Sequence, residues 1–271
     1  MKLLFIKIIV IAAFSASSCA FAQEDVLDEL NAKAVKLYKE GKYEDAIVTA
    51  KNAMEITKER YGPESPDVSA SLNNLAIIYQ AAGRFDKAED LLKQALSIDE
   101  KIFGKKDVTI TRVLDNMVVS YYMQDKYGEA ERFCERSLKL KEKFLGKDAL
   151  PCSASLYMLS NLYLLQKKYE KAARAYERLL GILEKELGPE HSNIGQILYE
   201  YGGVRKAQER YPEALTFYGR AVKIIEKANG MDHPSLAVVL DDMAEAHKRT
   251  GDEESAKKAE ERAEQIRLKD Q

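Results

Sequence analysis
The sequence contains no tryptophan, only six prolines and only three cysteines in 271 residues. Scarce proline leaves long stretches without helix breakers, and the composition suits a helical array. None of the cysteines forms a C-x-x-C pair, which removes zinc-ribbon and dithiol redox motifs. There is no glycine-rich phosphate loop and no nucleophile elbow, and neither His191 nor His233 has the glutamate and second histidine of a zinc helix. Past residue 22 no segment approaches the about 18 apolar residues that a membrane-spanning helix needs. A basic field is missing too. The 42 Lys and Arg stand against 44 Asp and Glu with the signs interspersed, which argues against a nucleic-acid surface and reads as a solvated exterior. No residue set stands out for catalysis, for a metal or for a cofactor, and no enzyme activity is expected.

What is present is one pattern that returns every 42 residues. An aromatic slot runs Tyr43, Phe85, Tyr127, Tyr169 and Tyr211 before ending at Glu253, and a small-residue slot runs Ala46, Ala88, Ala130, Ala172, Ala214 and Ala256. A third slot holds Leu30, Leu72, Leu114, Leu156, Leu198 and Leu240, so the register persists through six repeats without insertion or deletion.

Within a repeat, Leu72, Leu75, Ala76 and Tyr79 lie at helical spacing, and Ala88, Leu91, Leu92, Ala95 and Leu96 make the stripe of a second helix. Gly83 between them predicts a left-handed turn. Each repeat is therefore a hairpin of helix A and helix B, and since two helices cannot cover both stripes, neighbouring hairpins must stack. The repeats fall at about 25–64, 65–106, 107–148, 149–190, 191–232 and 233–271, with turns expected near 41, 83, 125, 167, 209 and 251. Gly62, Gly104, Gly146, Gly188 and Gly230, again in register, are expected to stop the B helices. Asp125 and Lys167 occupy the turn-glycine slot in repeats three and four. In repeat five, Gly202 sits where helices approach closely, whereas Gly203 has no such packing reason and costs about 1 kcal/mol in a helix. His191 and His233 share one slot before helix A and are read as part of the repeat, not as metal ligands. The last B helix offers the core only Ala256, Ala259, Ala263 and Ile266, as a terminal cap requires.

These motifs resemble the tetratricopeptide repeat family, and the stretch SLNNLAIIYQAAGRFDKAEDLLKQALSIDEKIFG with its 42-residue period resembles the kinesin-light-chain type. The resemblance covers about residues 24–271 and implies an all-α fold, a right-handed solenoid of six helix-turn-helix repeats. It implies little about function, because one scaffold carries many binding tasks. It also implies a concave surface lined by helix A positions. In repeats three to five these include Arg112, Tyr122, Tyr157, Asn161, Leu164, Leu165, Tyr199, Gly203 and Lys206, and in repeat two Asn73, Ile77 and Gln80. Tyr122, Tyr157 and Tyr199 would be anchors and Asn161 a polar contact, although any one of these side chains could instead pack between adjacent A helices. The paired basic residues with which chaperone-binding relatives hold a terminal carboxylate are not reproduced.

Residues 1–22, MKLLFIKIIVIAAFSASSCAFA, stand outside the pattern and read as a secretory signal with cleavage after Ala22, leaving a mature domain 23–271 of net charge −4 in place of −2. Cys19, preceded by Ala16-Ser17-Ser18, offers a lipoprotein alternative in which that cysteine is lipidated. In the mature chain Cys134 and Cys152 are expected to be free buried thiols, with a disulfide the alternative that export permits. Two functions follow. One is an exported scaffold, periplasmic or secreted, that binds a peptide or partner helix in its concave groove; the other is an accessory subunit of an envelope assembly, anchored at Cys19.

Overall fold
The computed structural model describes residues 24–269; the signal-like segment, with Cys19 and the expected cleavage site before Gln23, lies outside the described residues. The described residues form α1 (Glu24–Lys39), α2 (Tyr43–Tyr61), α3 (Pro66–Ala81), α4 (Phe85–Ile102), α5 (Thr111–Met123), α6 (Tyr127–Leu145), α7 (Cys152–Leu165), α8 (Tyr169–Leu187), α9 (Ser192–Ala207), α10 (Tyr211–Asn229), α11 (Ser235–Thr250) and α12 (Glu253–Lys269). They contain no β-strand, and one 3-10 turn, Val108–Ile110, precedes α5. The odd-numbered helices are the A helices and the even-numbered ones the B helices. Two compact units are present, the first ending at Leu140 and the second beginning at Lys141, inside α6.

Each hairpin closes through one residue with a left-handed backbone: Gly41, Gly83, Asp125, Lys167, Glu209 and Gly251, with φ between 58° and 81°. Glycine adopts this conformation freely, whereas an L side chain pays about 1–2 kcal/mol. Three hairpins therefore carry strain, because the turn returns in register whether or not glycine is present. Asp125 recovers part of it, since its carboxylate accepts a 2.6 Å hydrogen bond from the Tyr127 hydroxyl.

The helix starts repeat as well. Ser65 Oγ accepts from the Val68 amide at 3.3 Å, Asp107 Oδ1 from Thr109 at 2.9 Å, His191 Nδ1 from Asn193 at 3.3 Å and His233 Nδ1 from Ser235 at 3.3 Å. All four lie in one slot, so the two histidines cap their own backbone. Asp107 does so on the 3-10 turn, and α5 begins one turn later than the expectation from the repeat.

The Ala46, Ala88, Ala130, Ala172, Ala214 and Ala256 side chains are each 0% exposed, so the slot admits only a small side chain between the packed helices. At the C-terminal end α12 buries Ala256, Ala259, Ala263 and Ile266 and no other residue. Between successive B helices a charged clamp recurs: Arg136 with Glu100, Arg178 with Glu142, Arg220 with Glu184 and Arg262 with Glu226, each at 2.6 Å. Arg136, Arg178 and Arg262 also donate to the carbonyls of Lys105, Lys147 and Met231 in the loop after the preceding B helix. The pairs are partly exposed, so each contributes no more than about 1 kcal/mol; their two-point geometry fixes the spacing of the B helices. Cys134 and Cys152 are buried thiols in this structure.

Replacing Lys167 or Glu209 by glycine should stabilise the protein by about 0.5–1 kcal/mol each in urea titrations, as the strained φ is relieved. Asp125→Gly should gain less, because the bond to Tyr127 is lost.

Candidate functional site
Arg112 and Tyr122 belong to the first unit and the other seven groove candidates to the second. In the first unit Arg112, Asp115, Val119 and Tyr122 of repeat three stay half-buried, while the inner positions of repeat two are covered. Asn73, Ile77 and Gln80 are buried there, which corrects the expectation that they line a groove. The reason is a chain of amide bonds from α3 to α5. Gln80 Nε2 donates to the Asn116 carbonyl at 2.7 Å and to Ser120 Oγ at 2.8 Å, and Asn116 Nδ2 donates to Asn73 Oδ1 at 2.8 Å. Arg112 is half-buried beside the buried Asp99 of α4. Burial works against the charge of each, and their mutual attraction works for it. Tyr122 is half-buried, with its ring centroid 5.9 Å from that of Tyr127.

The inner positions of the second unit remain partly open. Leu164, Asn161 and Tyr157 on α7 are half-buried, and Leu165 is 47% exposed. The Tyr157 hydroxyl is engaged with one group that the periodic pattern did not single out, the Glu200 carboxylate of α9. Glu200 Oε1 accepts from the Tyr157 hydroxyl at 2.9 Å and from Gln196 Nε2 at 2.8 Å, while Oε2 accepts from the buried Tyr176 hydroxyl at 3.1 Å. Asn161 Nδ2 donates to the Tyr157 carbonyl at 3.1 Å, and its Oδ1 lies 3.2 Å from the Tyr176 hydroxyl. The sequence does carry a weak signal for Glu200. Its slot reads Ala32, Asn74, Asn116, Met158, Glu200 and Asp242, polar in four of six repeats and next to an apolar stripe.

One repeat further on, Lys206 extends between Asp242 Oδ1 at 2.6 Å and Glu245 Oε2 at 2.8 Å on α11. Burial disfavours its charge, but the hydrogen bonds it donates to both carboxylates outweigh that and raise its pKa. Tyr199 hydrogen-bonds to Asp242; burial first, then the charge and hydrogen bond of Asp242, push its phenol well above the ordinary range. Its ring packs against the core cluster of α10, α11 and α12, with the centroid 5.9 Å from that of the fully buried Tyr218. Tyr199 is thus both a core residue and a wall of the inner face.

The two adjacent glycines of α9 do different things. A Cβ on Gly202 would stand 2.5 Å from Tyr218 Cε1, so that position admits no side chain while Tyr218 keeps its place. A Cβ on Gly203 would meet nothing within 4 Å. Gly203 occupies the slot filled by Ile77, Val119, Asn161 and Glu245 in other repeats, and therefore leaves a notch in the inner face beside Tyr199, Glu200 and Lys206.

Six paired-helix repeats with alanine contacts and a left-handed closing residue define a helical-hairpin repeat protein. The tetratricopeptide repeat family model matches residues 30–101, 109–185 and 193–269, and the chain belongs to that family. Its structure is similar to a Podosopora anserina kinesin light chain of nearly identical TPR-like repeats, with TM-score 0.67 at 24% identity over 77% of this chain and 99% of that one. It is also similar to BtubC (BKLC) from P. vanneervenii, with TM-score 0.66 at 19% identity over 89% and 91% of the two chains. YrrB, a TPR protein with an unusual peptide-binding site, gives TM-score 0.59 at 15% identity over 79% and 92%. The kinesin-light-chain-like form of the repeat agrees with the 42-residue period. No curated protein sequence matches the chain significantly.

The glycine pair yields a test by differential stability. Gly203→Ala should stabilise the fold by about 0.5–1 kcal/mol, because helix propensity rises and no atom obstructs the methyl group. Gly202→Ala should destabilise it by about 1–3 kcal/mol through the clash with Tyr218, measured by denaturant unfolding of both variants.

Proposed function
We propose that this protein is a non-catalytic scaffold that binds a peptide or a helix of a partner protein on the inner A-helix face of its second unit. The observation that carries this reading is the surface formed by Tyr157, Leu164, Leu165, Tyr199 and the Gly203 notch. Large apolar and aromatic groups stay accessible there beside fixed polar atoms, whereas in repeat two Asn73, Ile77 and Gln80, in the slots of Tyr157, Gly203 and Leu164, are buried. Such a mixture suits a ligand that buries apolar area and needs a few hydrogen bonds for orientation. The peptide-binding site of YrrB, a protein of the same fold, supports the reading. Among the described residues no group of three or more His, Cys, Asp and Glu could hold a metal ion, and no helix is long and apolar enough to cross a membrane.

The scaffold acts after export, in the periplasm or outside the cell. Support comes from the lysine-bearing, apolar segment 1–22 and its small residues before Gln23. The intact mass of the exported product should correspond to a chain beginning at Gln23. A product beginning at a lipid-modified Cys19 would establish instead the anchored form that an envelope-assembly subunit would use.

For the binding face, Leu165→Ala and Tyr157→Ala should each weaken capture of a cognate peptide by about tenfold or more while leaving the far-ultraviolet dichroism unchanged. Tyr199→Ala should also lower the unfolding midpoint, since its ring packs on the core. Unaltered binding in all three variants would remove the inner face of the second unit as the site.

A further inference from the structure
Several buried or half-buried carboxylates of this fold are neutralised by nearby cations. Glu89 accepts from Lys93 and Lys126 at 2.6 and 3.1 Å; burial alone would raise its pKa, but the bonds from Lys93, Gln124 and Lys126 hold it down at about 2. Glu142, Glu184 and Glu226 each face an arginine, and Asp242 faces Lys206. Glu200 differs. Its three partners, Tyr157, Tyr176 and Gln196, are neutral donors, and among the described residues no cation lies within ion-pair distance of it. A carboxylate offers about four acceptor positions, and these partners use three. A partly desolvated negative charge with one position open is unfavourable by itself and is relieved by a cation.

The surroundings favour the same occupant. Gly203, one turn along α9 from Glu200, leaves the notch into which a side chain can enter. Tyr157 and Tyr199, the aromatic residues of this face, carry rings of the kind that attract cations. Lys206, a basic residue of the same helix, is held by Asp242 and Glu245, and with Glu200 the site has three carboxylates against that one ammonium. Farther along α11, the exposed Arg249 acts on Glu245 through space. The Tyr218 hydroxyl, on a fully buried side chain next to Tyr199, has no hydrogen-bond partner among the described residues, so a second polar valence is unmet beneath the same wall.

From this geometry we infer that the notch at Gly203 receives a lysine or arginine side chain of the bound partner, with Glu200 as its counter-ion. The partner segment is therefore basic, not acidic. This inference rests on the peptide-binding reading and adds the chemistry of the residue recognised.

The test uses the full mature chain and a random peptide library displayed on phage, followed by calorimetry on the synthetic peptides recovered. The peptides should share a lysine or arginine at one aligned position and bind more weakly as salt is raised. Exchanging that residue for norleucine should weaken binding about tenfold or more, of the order measured for close charge pairs across interfaces. Glu200→Gln should cause a similar loss with the original peptide and no further loss with the norleucine peptide. Gln keeps an acceptor for the tyrosines; should the variant nonetheless fail to fold, Gly203→Leu, which fills the notch from an unobstructed position, should reproduce the loss. Recovered peptides with no common basic position, or with an acidic one, overturn the inference while leaving the peptide-binding reading intact. So does a basic position whose contribution is unchanged by both Glu200→Gln and Gly203→Leu. Recovery of no peptide at all overturns the parent reading, and the inference with it.

Discussion
Everything in this structure depends on how closely helix B approaches helix A, and that distance is set by a side chain no larger than a methyl group. The six alanines of this slot have no exposed surface. With such a contact at every pair, the chain returns to an equivalent position each 42 residues, and turns, caps and charged pairs can recur with it. Overpacking one of these contacts would force backbone shifts that the tight hairpin cannot absorb, since core insertions typically cost about 1–3 kcal/mol. The turn yields before the packing does. Asp125, Lys167 and Glu209 accept a strained backbone so that the hairpin can close at the fixed position.

Periodic interactions and departures from the period lie on different faces. The Arg–Glu clamps of the B helices recur at one spacing and connect neighbouring repeats in the same way each time. On the inner A-helix face the pattern breaks: the slot of Ile77 and Val119 becomes Gly203, and the slot of Asn116 becomes Glu200. A repeat protein can change such positions with little damage because each repeat contacts only its neighbours. Departures from the repeat, more than its recurring grammar, are therefore where the proposed binding face differs from the rest of the array.

Much of this was legible in the residues. The hairpins, their turns at 42-residue intervals, the glycines that close the B helices and the four apolar residues of α12 follow from local rules of periodicity and backbone conformation. The different standing of Gly202 and Gly203 was also readable, since only the first falls where helices meet. Less visible was which inner positions are open. Asn73 and Gln80 have the same address in the repeat as half-buried residues of later ones, yet α3 and α5 bury them through amide bonds whose partners lie more than thirty residues away. Tyr157 and Asn161 were legible as residues of the inner face, but not as partners of a network centred on Glu200.

The sequence by itself determined the class of fold, the number of repeats and the face of each helix that turns inward, because helical periodicity and left-handed turns are local properties of the chain. Only the tertiary structure decided that His191 and His233 cap helices, that Tyr199 is divided between core and surface, and that Glu200 has only neutral donors among the described residues where Glu142, Glu184 and Glu226 each face an arginine. Those outcomes depend on which side chains from separate repeats come within hydrogen-bonding distance. No local pattern encodes that, since side chains 24 or 43 residues apart, such as Tyr176 and Tyr157 from Glu200, meet at one carboxylate only when three helices are packed together.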